Sequence, residues 1–325
     1  MAKLTIVEAV RDALDVELGR DERVVVLGED VGRDGGVFRA TDGLWKKYGD
    51  HRVIDTPLAE SGIVGVSIGM ALQGLLPVAE IQFDGFTYPA FDQMFSHAAR
   101  IRNRTRGKYT CPMVLRFPYG GGIRALEHHN ESPEAYFVHT PGLKVVIPSN
   151  PYDAKGLLIS AIRDPDPVVF MEPKRIYRAI RDEVPDGEYT VEIGKAKIVN
   201  EGTDVTLIGW GAMMRECLKA ADSAAAKGIR AEVIDVRTLN PCDWDTLLAS
   251  VQKTGRAVVV HEAPRTLGFG AEIAARIQEK LLLYLKAPVL RVTGYDAPFP
   301  YFKLEDAYLP NPEKIGKAIE KVMTF

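Results

Sequence analysis

One carboxylate, Glu60, stands directly ahead of an apolar segment that runs from Ser61 to Gly74. Almost no other ionisable group lies near it in the sequence, and apolar surroundings make a carboxyl group costly to ionise. Such an acid is suited to hydrogen-bonding a basic nitrogen of a ligand, or to exchanging a proton with it. Glu60 is therefore the leading catalytic candidate. The alternative is an acid at a helix N-terminus that serves only the helix dipole.

The segment after Glu60 is glycine-rich, with glycines at positions 62, 65, 69 and 74. Each glycine inside a helix costs about 1 kcal/mol relative to alanine, so the set needs an explanation. Gly65 and Gly69, four residues apart, fall on one helical face and let another backbone approach closely. This spacing predicts an interface between subunits, with close helix-to-sheet packing inside one domain as the alternative.

The elements that must position these residues follow an α/β rhythm. Continuously apolar runs, typical of strands buried on both faces, are found at 24–27, 78–83, 113–117, 145–148 and 168–171, then at 205–210, 231–236, 257–261 and 289–293. Helical spacing occupies 5–18, with Thr5 as N-cap, then 62–75, 88–102, 212–227, 244–254 and 271–285. Strands alternating with helices predict parallel sheets covered on both sides.

The chain of 325 residues exceeds the usual size of a single core, so two domains are expected. The stretch 172–203 is polar, punctuated by proline and glycine, and lacks sustained periodicity. We therefore predict two doubly wound α/β domains at 1–185 and 204–325, joined by a linker at 186–203.

Composition excludes several classes of protein. A net charge of −3 argues against a dedicated nucleic-acid binder, although one basic run, 100–108, remains as a solvated or subunit-facing segment. The three cysteines form no CxxC pair, which argues against a disulfide framework or a zinc site. The charged N-terminal sequence is unlike a signal peptide, and no apolar run approaches the length of a membrane span. These features predict a soluble cytoplasmic protein.

The spacing of Glu60, Gly65-Val66, Gly69 and Gln73 resembles the glutamate–glycine helix motif of thiamine diphosphate enzymes. Further stretches resemble the β subunit of 2-oxo acid dehydrogenase complexes over nearly the whole chain: 27–31, 36–41, 55–60, 78–83, 141–146, 152–158, 256–263 and 294–301. The resemblance implies an N-terminal pyrimidine-binding domain of the thiamine diphosphate type and a C-terminal domain like that of transketolase.

The resemblance also implies roles for individual residues. Glu60 would hydrogen-bond N1′ of the cofactor's aminopyrimidine, Phe86 would stack on that ring, and Gln82 and Leu58 would lie close to it. Plain core packing is the alternative for Phe86. His129 would assist proton transfer during acyl transfer to a lipoyl group.

Two stretches of the sequence are candidate metal sites. Adjacent His128 and His129 lack the spacing of a zinc site, which leaves His128 without an assigned role. The family resemblance implies a structural potassium ion held by oxygen atoms of Met113, Ala161, Ile162, Asp164 and Asp166. The alternative there is an Asp/Pro turn that needs no ion.

Missing residues point to a partner. Relatives that hold the cofactor's pyrophosphate through Mg²⁺ use a Gly-Asp-Gly triplet followed by Asn-Asn, and this sequence contains neither. Our hypothesis is that the chain makes half an active site and that a separate α subunit holds Mg²⁺ and the pyrophosphate in an α₂β₂ assembly. A lipoyl acyltransferase core is the second expected partner, with the C-terminal domain contributing to docking and dimerisation.

The expected activity is oxidative decarboxylation of a 2-oxo acid with reductive acylation of lipoyl groups. The sequences at 132–142, 261–264 and 268–270 favour a branched-chain substrate, with pyruvate as the alternative. A self-sufficient transketolase-type enzyme and a non-catalytic assembly subunit are the rival functions. Gly268-Phe-Gly270 lacks the third glycine of a dinucleotide fingerprint and predicts only a helix start.

Overall fold

The computed structural model describes residues 1–325, which form two compact units. The first unit comprises residues 1–119 and 136–193, and the second comprises 120–135 and 194–325. The two units are defined by the contacts that residues make in the folded chain. The domain boundaries given above are based on composition, and they remain a prediction.

The first unit contains eight strands and six helices in an alternating order. The strands are β1 (Ala2–Leu4), β2 (Val24–Gly28), β3 (Val53–Asp55), β4 (Leu76–Glu80), β5 (Val114–Tyr119), β6 (Lys144–Val146), β7 (Val168–Pro173) and β8 (Asp182–Val184). The α-helices are α1 (Ile6–Arg20), α2 (Leu44–Tyr48), α3 (Glu60–Leu72), α4 (Ile101–Arg104), α5 (Glu134–Val138) and α6 (Pro151–Ile162). The first two residues of α5 belong to the second unit.

Six strands of the first unit form a parallel sheet in the order β6-β7-β5-β4-β2-β3. The central strands β2, β5 and β7 are buried along their full length, as their continuous apolar sequences predict. Helix α1 begins as expected at a capping box, in which Thr5 and Glu8 bond each other's backbone amides. The carboxyl ends of β2 and β4 lie side by side at one edge, where parallel sheets place their ligands.

The second unit repeats the α/β pattern around a five-stranded sheet. Its strands are β9 (Lys197–Asn200), β10 (Val205–Gly209), β11 (Ala231–Asp235), β12 (Thr238–Asn240), β13 (Ala257–Val260) and β14 (Leu290–Val292). Its helices are α7 (Met213–Ala225), α8 (Trp244–Thr254), α9 (Phe269–Leu281), α10 (Glu305–Tyr308) and α11 (Pro312–Met323). The sheet order is β14-β13-β10-β11-β9, with only β9 antiparallel. The short strand β12 is not part of this sheet. The predicted two-domain α/β architecture is confirmed.

One predicted helix is wrong. The sequence favours a continuous α-helix over 88–102, but the chain forms a 3₁₀ helix at Asp84–Ala90, a π-helix at Gln93–His97, a second 3₁₀ turn at Ala98–Arg100, and then the short α4. Pro89 lies inside the first of these turns and cannot donate a backbone hydrogen bond. The segment is therefore helical, as the apolar spacing suggests, but its backbone hydrogen bonds change between 3₁₀, π and α patterns along its length.

None of the helices combines the length and apolar content that crossing a bilayer requires.

Candidate active site

Glu60 is the first residue of α3 and is half-buried. The sequence suggested an isolated acid, and the structure corrects this, because Glu29 and Asp30 follow β2 at the same end of the sheet. Burial, with the charges of Asp30 and Glu60, raises the pKa of Glu29. Sequence reasoning missed Glu29, although the stretch 27–31 that contains it was part of the family resemblance. The site thus offers two neighbouring carboxyl groups, one of which holds a proton more readily than usual.

Gln82 and Phe86 follow β4 at the same end of the sheet. The Gln82 Nε2 amide donates to Asp30 Oδ2 at 3.2 Å, which ties the two strand ends together. Phe86 lies in the 3₁₀ helix, half-buried, and meets the Phe83 ring edge-to-face at 5.9 Å between centroids. That 3₁₀ helix packs against α3, so the structure places Phe86 and Glu60 on neighbouring elements.

The turn that carries Phe86 is anchored by charge. Asp84 is fully buried, accepts the Gly85 amide at 2.8 Å, and pairs with the equally buried ammonium of Lys174. Leu58, by contrast, is 71% exposed, just before α3. Together these elements present a carboxyl pair, an amide, an aromatic ring and an open apolar side chain at one edge of the sheet. A planar aromatic ring bearing basic nitrogens suits this set of groups.

The outward face of α3 is apolar, exposed and formed largely by residues with small side chains or none. Gly62, Val66 and Gly69 succeed one another along it and are exposed, and Val66 is 54% exposed. A Cβ atom built on Gly69 meets no atom of the chain within 4 Å, whereas one on Gly65 would touch the Gln93 side chain at 3.4 Å. The Gly65 distance is an ordinary van der Waals contact, so packing inside this chain requires glycine at neither position, and position 69 is the more open of the two.

The segment predicted to bind potassium is already well paired. Lys144 Nζ lies 2.5 and 2.7 Å from the two carboxylate oxygens of Asp164, and Arg102 Nε lies 2.7 Å from Asp166. The carbonyl of Met113 accepts the Val168 amide at 3.0 Å. Ala161 and Ile162 are buried at the end of α6, and the Ala161 carbonyl accepts the Asp164 amide at 3.3 Å. Protein groups thus balance both carboxylates, which favours the alternative of a turn that needs no ion.

His129 lies in an irregular loop of the second unit, in the same stretch as three consecutive glycines at 120–122. Its Nδ1 is 2.7 Å from the carbonyl oxygen of Glu127. Because a carbonyl only accepts hydrogen bonds, Nδ1 carries the proton and Nε2 is the nitrogen that can take one up. The neighbouring His128 is exposed with φ +64°, and no group of three or more potential ligand side chains in the chain is arranged to hold a metal ion.

The second unit buries a histidine, His261, that sequence reasoning considered only as part of the stretch 261–264 and did not assign to a site. His261 stacks on Trp210 with 5.3 Å between ring centroids, and burial lowers its pKa to about 3. A Cβ at Gly268 or Gly270 would lie 2.6 Å from this imidazole. Helix α9 does begin at Phe269, with Gly268 as N-cap, as predicted. The Gly-Phe-Gly stretch therefore makes room for the His261 ring.

Glu134 is a second buried acid that the sequence did not single out. It is fully buried at the start of α5, and burial raises its pKa to about 8, with a further contribution from the charge of Glu262. Two acids in one apolar region disfavour each other's ionisation. Glu134 therefore stays protonated at neutral pH.

Comparison with known protein families matches both halves of the chain. A model described as the transketolase pyrimidine-binding domain matches residues 2–179, and one described as the transketolase C-terminal domain matches residues 194–315. A solved structure described as a split-gene transketolase in an inactive beta4 tetramer is similar over 99% of both chains, with a TM-score of 0.81. At 24% identity that likeness concerns the fold alone.

Curated relatives match along their whole length. The pyruvate dehydrogenase E1 component subunit beta of Acholeplasma laidlawii is 55% identical over 99% of this chain and 98% of its own. The proteins of the same name from Bacillus subtilis (strain 168) and Staphylococcus epidermidis are 53% and 51% identical over the full length of both chains.

The protonated state of Glu134 predicts a loss of stability at alkaline pH. An acid whose folded pKa is raised stabilises the fold below its unfolded pKa, and this contribution is lost as pH rises towards about 8. His261 has the opposite sign, since its contribution is lost as pH falls below 6.5. Between pH 6.5 and 8 we expect the free energy of unfolding to fall by on the order of 1 kcal/mol per pH unit. Glu134→Gln should flatten this slope.

Urea unfolding of the purified chain at half-unit pH steps measures the slope. Glu232→Gln is the matched control, because Glu232 is equally buried in the second unit but its pKa is lowered. Parallel stability profiles for the wild type and Glu134→Gln between pH 6.5 and 8 would contradict the assignment.

Proposed function

The chain belongs to the family of β subunits of thiamine-diphosphate-dependent 2-oxo acid dehydrogenases, and we propose that its substrate is pyruvate. It is one component of an oxidoreductase that decarboxylates a 2-oxo acid. The observation that carries the choice of substrate is the full-length match, at 51–55% identity, to β subunits of pyruvate dehydrogenase.

The preference for a branched-chain substrate that the sequence suggested is not confirmed. Part of its basis was the Gly268-Phe-Gly270 stretch, and the glycines there lie against the buried His261 ring. That packing is a structural reason for the stretch that does not involve substrate size. The relatives support the alternative, pyruvate.

Thiamine diphosphate is the cofactor of this family, and we propose that Glu60 binds its aminopyrimidine. When bound, this cofactor supplies the carbanion-stabilising chemistry that decarboxylation of a 2-oxo acid needs. Glu60 would hold a proton at the ring nitrogen N1′, and Glu29, whose pKa is raised by burial and by the charges of Asp30 and Glu60, lies near it. The Phe86 ring would support one face of the aminopyrimidine, with Gln82 and Leu58 at its edge.

We propose that His129 handles a proton during transfer of the acyl group to a lipoyl arm. The bond between its Nδ1 and the Glu127 carbonyl supports this role, because it fixes the ring orientation and makes Nε2 the basic nitrogen. A neutral imidazole near neutral pH can both accept and donate a proton.

The α subunit would hold Mg²⁺ and the pyrophosphate, and we propose an α₂β₂ heterotetramer. The outward face of α3 supports a partner there, since glycine at position 69 serves no packing within this chain and leaves room for a second backbone. Its neighbours Val66 and Leu72 would gain burial in such an interface.

The remaining partners and sites stay predictions. In the second unit, Leu282, Leu283 and Tyr284 form an exposed apolar run, and Leu283 is 95% exposed, which offers a surface for the acyltransferase core. The potassium ion at 161–166 stays a prediction, and the Lys144–Asp164 pair favours its alternative. Cytoplasmic localisation likewise stays a prediction.

Substrate and partner can be tested in one assay. We expect the chain alone to release no CO₂ from pyruvate, and the complex with its α subunit, thiamine diphosphate and Mg²⁺ to be active. Its kcat/KM should favour pyruvate over 4-methyl-2-oxopentanoate by at least about tenfold, since added methylenes are each worth 1–3 kcal/mol in a fitted pocket. Turnover without the α subunit, or a preference for the branched substrate, would refute the proposal.

Glu60→Ala should reduce decarboxylation by the complex at least about 100-fold, because a positioned acid or base contributes that much. Assembly should be unchanged, as measured by the mass of the complex in solution. Glu313→Ala is the control, since Glu313 also lies in the first turn of a helix but is exposed on α11. Near-normal turnover of Glu60→Ala would exclude the assigned role.

Gly69→Leu should weaken assembly with the α subunit by about tenfold or more, since overpacking an interface typically costs 1–3 kcal/mol. The isolated chain should be at least as stable as the wild type, because a Cβ atom at this exposed position meets no atom within 4 Å and leucine favours helix. Gly316→Leu is the matched control, as a Cβ on Gly316 in α11 also meets no atom within 4 Å. Equal affinity of both variants for the α subunit, measured by titration, would argue against an interface at Gly69.

A further inference from the structure

The loop that carries His129, residues 120–132, has no regular secondary structure of its own. Its two ends are joined where the Gly120 amide donates to the Glu131 carbonyl at 2.8 Å. The Asn130 side-chain amide holds the middle by donating to the carbonyls of Ala125 and Leu126 at 3.1 and 3.2 Å. These bonds fix the shape of the loop but do not fix it to the rest of the second unit.

Two buried carboxylates make that attachment. Glu262 Oε2 accepts the Gly121 amide at 2.9 Å, and a carboxylate oxygen of Glu305 accepts the amide of the next residue, Gly122. Glu262 and Glu305 are 3% and 1% exposed. They come from different elements, one following β13 and the other beginning α10. Consecutive amides of the loop are therefore held from two separate parts of the fold.

The glycines of this stretch are explained by the same contacts. A Cβ on Gly120, which has φ +82°, would lie 2.7 Å from the Glu262 carboxyl atoms. A Cβ on Gly121 would lie 2.3 Å from the Phe299 ring. A side chain at position 120 would displace the Glu262 carboxylate or the backbone beside it, and one at position 121 would displace the Phe299 ring or the backbone. Gly120 and Gly121 thus allow close approach and do not simply provide flexibility.

Burying a carboxylate is costly, and a charged acceptor compensates by forming shorter and stronger bonds to backbone amides than a neutral one. We propose that Glu262 and Glu305 are positioning residues that set the location of His129 by anchoring the amides of Gly121 and Gly122. This inference rests on the proposed role of His129 in acyl transfer. Neither carboxylate is assigned any contact with the substrate.

The prediction concerns a ratio of two activities of the same complex. Reductive acylation of lipoyl groups would need a correctly placed His129, whereas decarboxylation measured with an artificial electron acceptor bypasses that step. In Glu262→Ala and Glu305→Ala, we expect acylation to fall roughly 10- to 100-fold, as misplacement of a catalytic group by about 1 Å can cause. Decarboxylation should stay within about twofold of the wild type.

Glu262→Gln should give an intermediate ratio, because its amide oxygen still accepts the Gly121 hydrogen bond but carries no charge. Glu232→Ala is the matched control: Glu232 is also a buried carboxylate of the second unit and accepts the Gly202 amide at 3.4 Å. It should leave the ratio unchanged. If Glu262→Ala fails to assemble, Glu262→Gln and Glu305→Ala decide the question by the same ratio.

The His129→Ala variant distinguishes the proposed role of His129 from the positioning role of Glu262 and Glu305. If it leaves the ratio unchanged, the proposed role of His129 is wrong, and the inference fails with it. If His129→Ala lowers the ratio but the Glu262 and Glu305 variants do not, or lower both activities equally, the positioning role alone is overturned.

Discussion

The first unit depends on one buried guanidinium. Arg116 on β5 binds Glu172 on β7 through two bonds of 2.6 and 2.8 Å, and it also contacts Glu80 on β4. Tyr177 donates to Glu172 as well, at 2.5 Å. Removing the cation would leave two uncompensated acids in the core, a change that typically costs several kcal/mol. The network joins three adjacent strands of the sheet, with Glu80 and Glu172 at or next to the carboxyl ends of β4 and β7 and Arg116 in the middle of β5.

Because these strand ends are fixed, the residues that follow them are fixed too. Glu80 ends β4, and Gln82 and Phe86 follow within six residues. The buried Asp84–Lys174 ion pair likewise fixes the position of the 3₁₀ helix that contains Phe86. Rigid placement matters for a site meant to orient a planar cofactor, since supporting charges and hydrogen bonds limit how far its side chains can move.

Acids in pairs recur in both units of this protein. Glu29 lies near Glu60, and Glu134 lies near Glu262, and in each pair one member has a raised pKa. In the first unit Glu60 is proposed to bind a ligand nitrogen, with Glu29 nearby. In the second unit Glu134 is protonated at neutral pH, whereas Glu262 accepts a backbone amide hydrogen bond from the His129 loop. The same residue type therefore performs two tasks that burial and hydrogen bonding distinguish.

Local periodicity and short contiguous motifs were enough to predict the α/β class, most strand positions, the N-cap at Thr5 and the family. The sequence also marked Glu60. It failed over 88–102, where a proline and changes of hydrogen-bonding register are not visible in apolar spacing. Only the tertiary structure brought Glu29 to Glu60 and Glu262 to Gly121, since those contacts join residues 31 and 141 positions apart. Burial and pairwise charge are properties of the folded chain, and no local pattern encodes them.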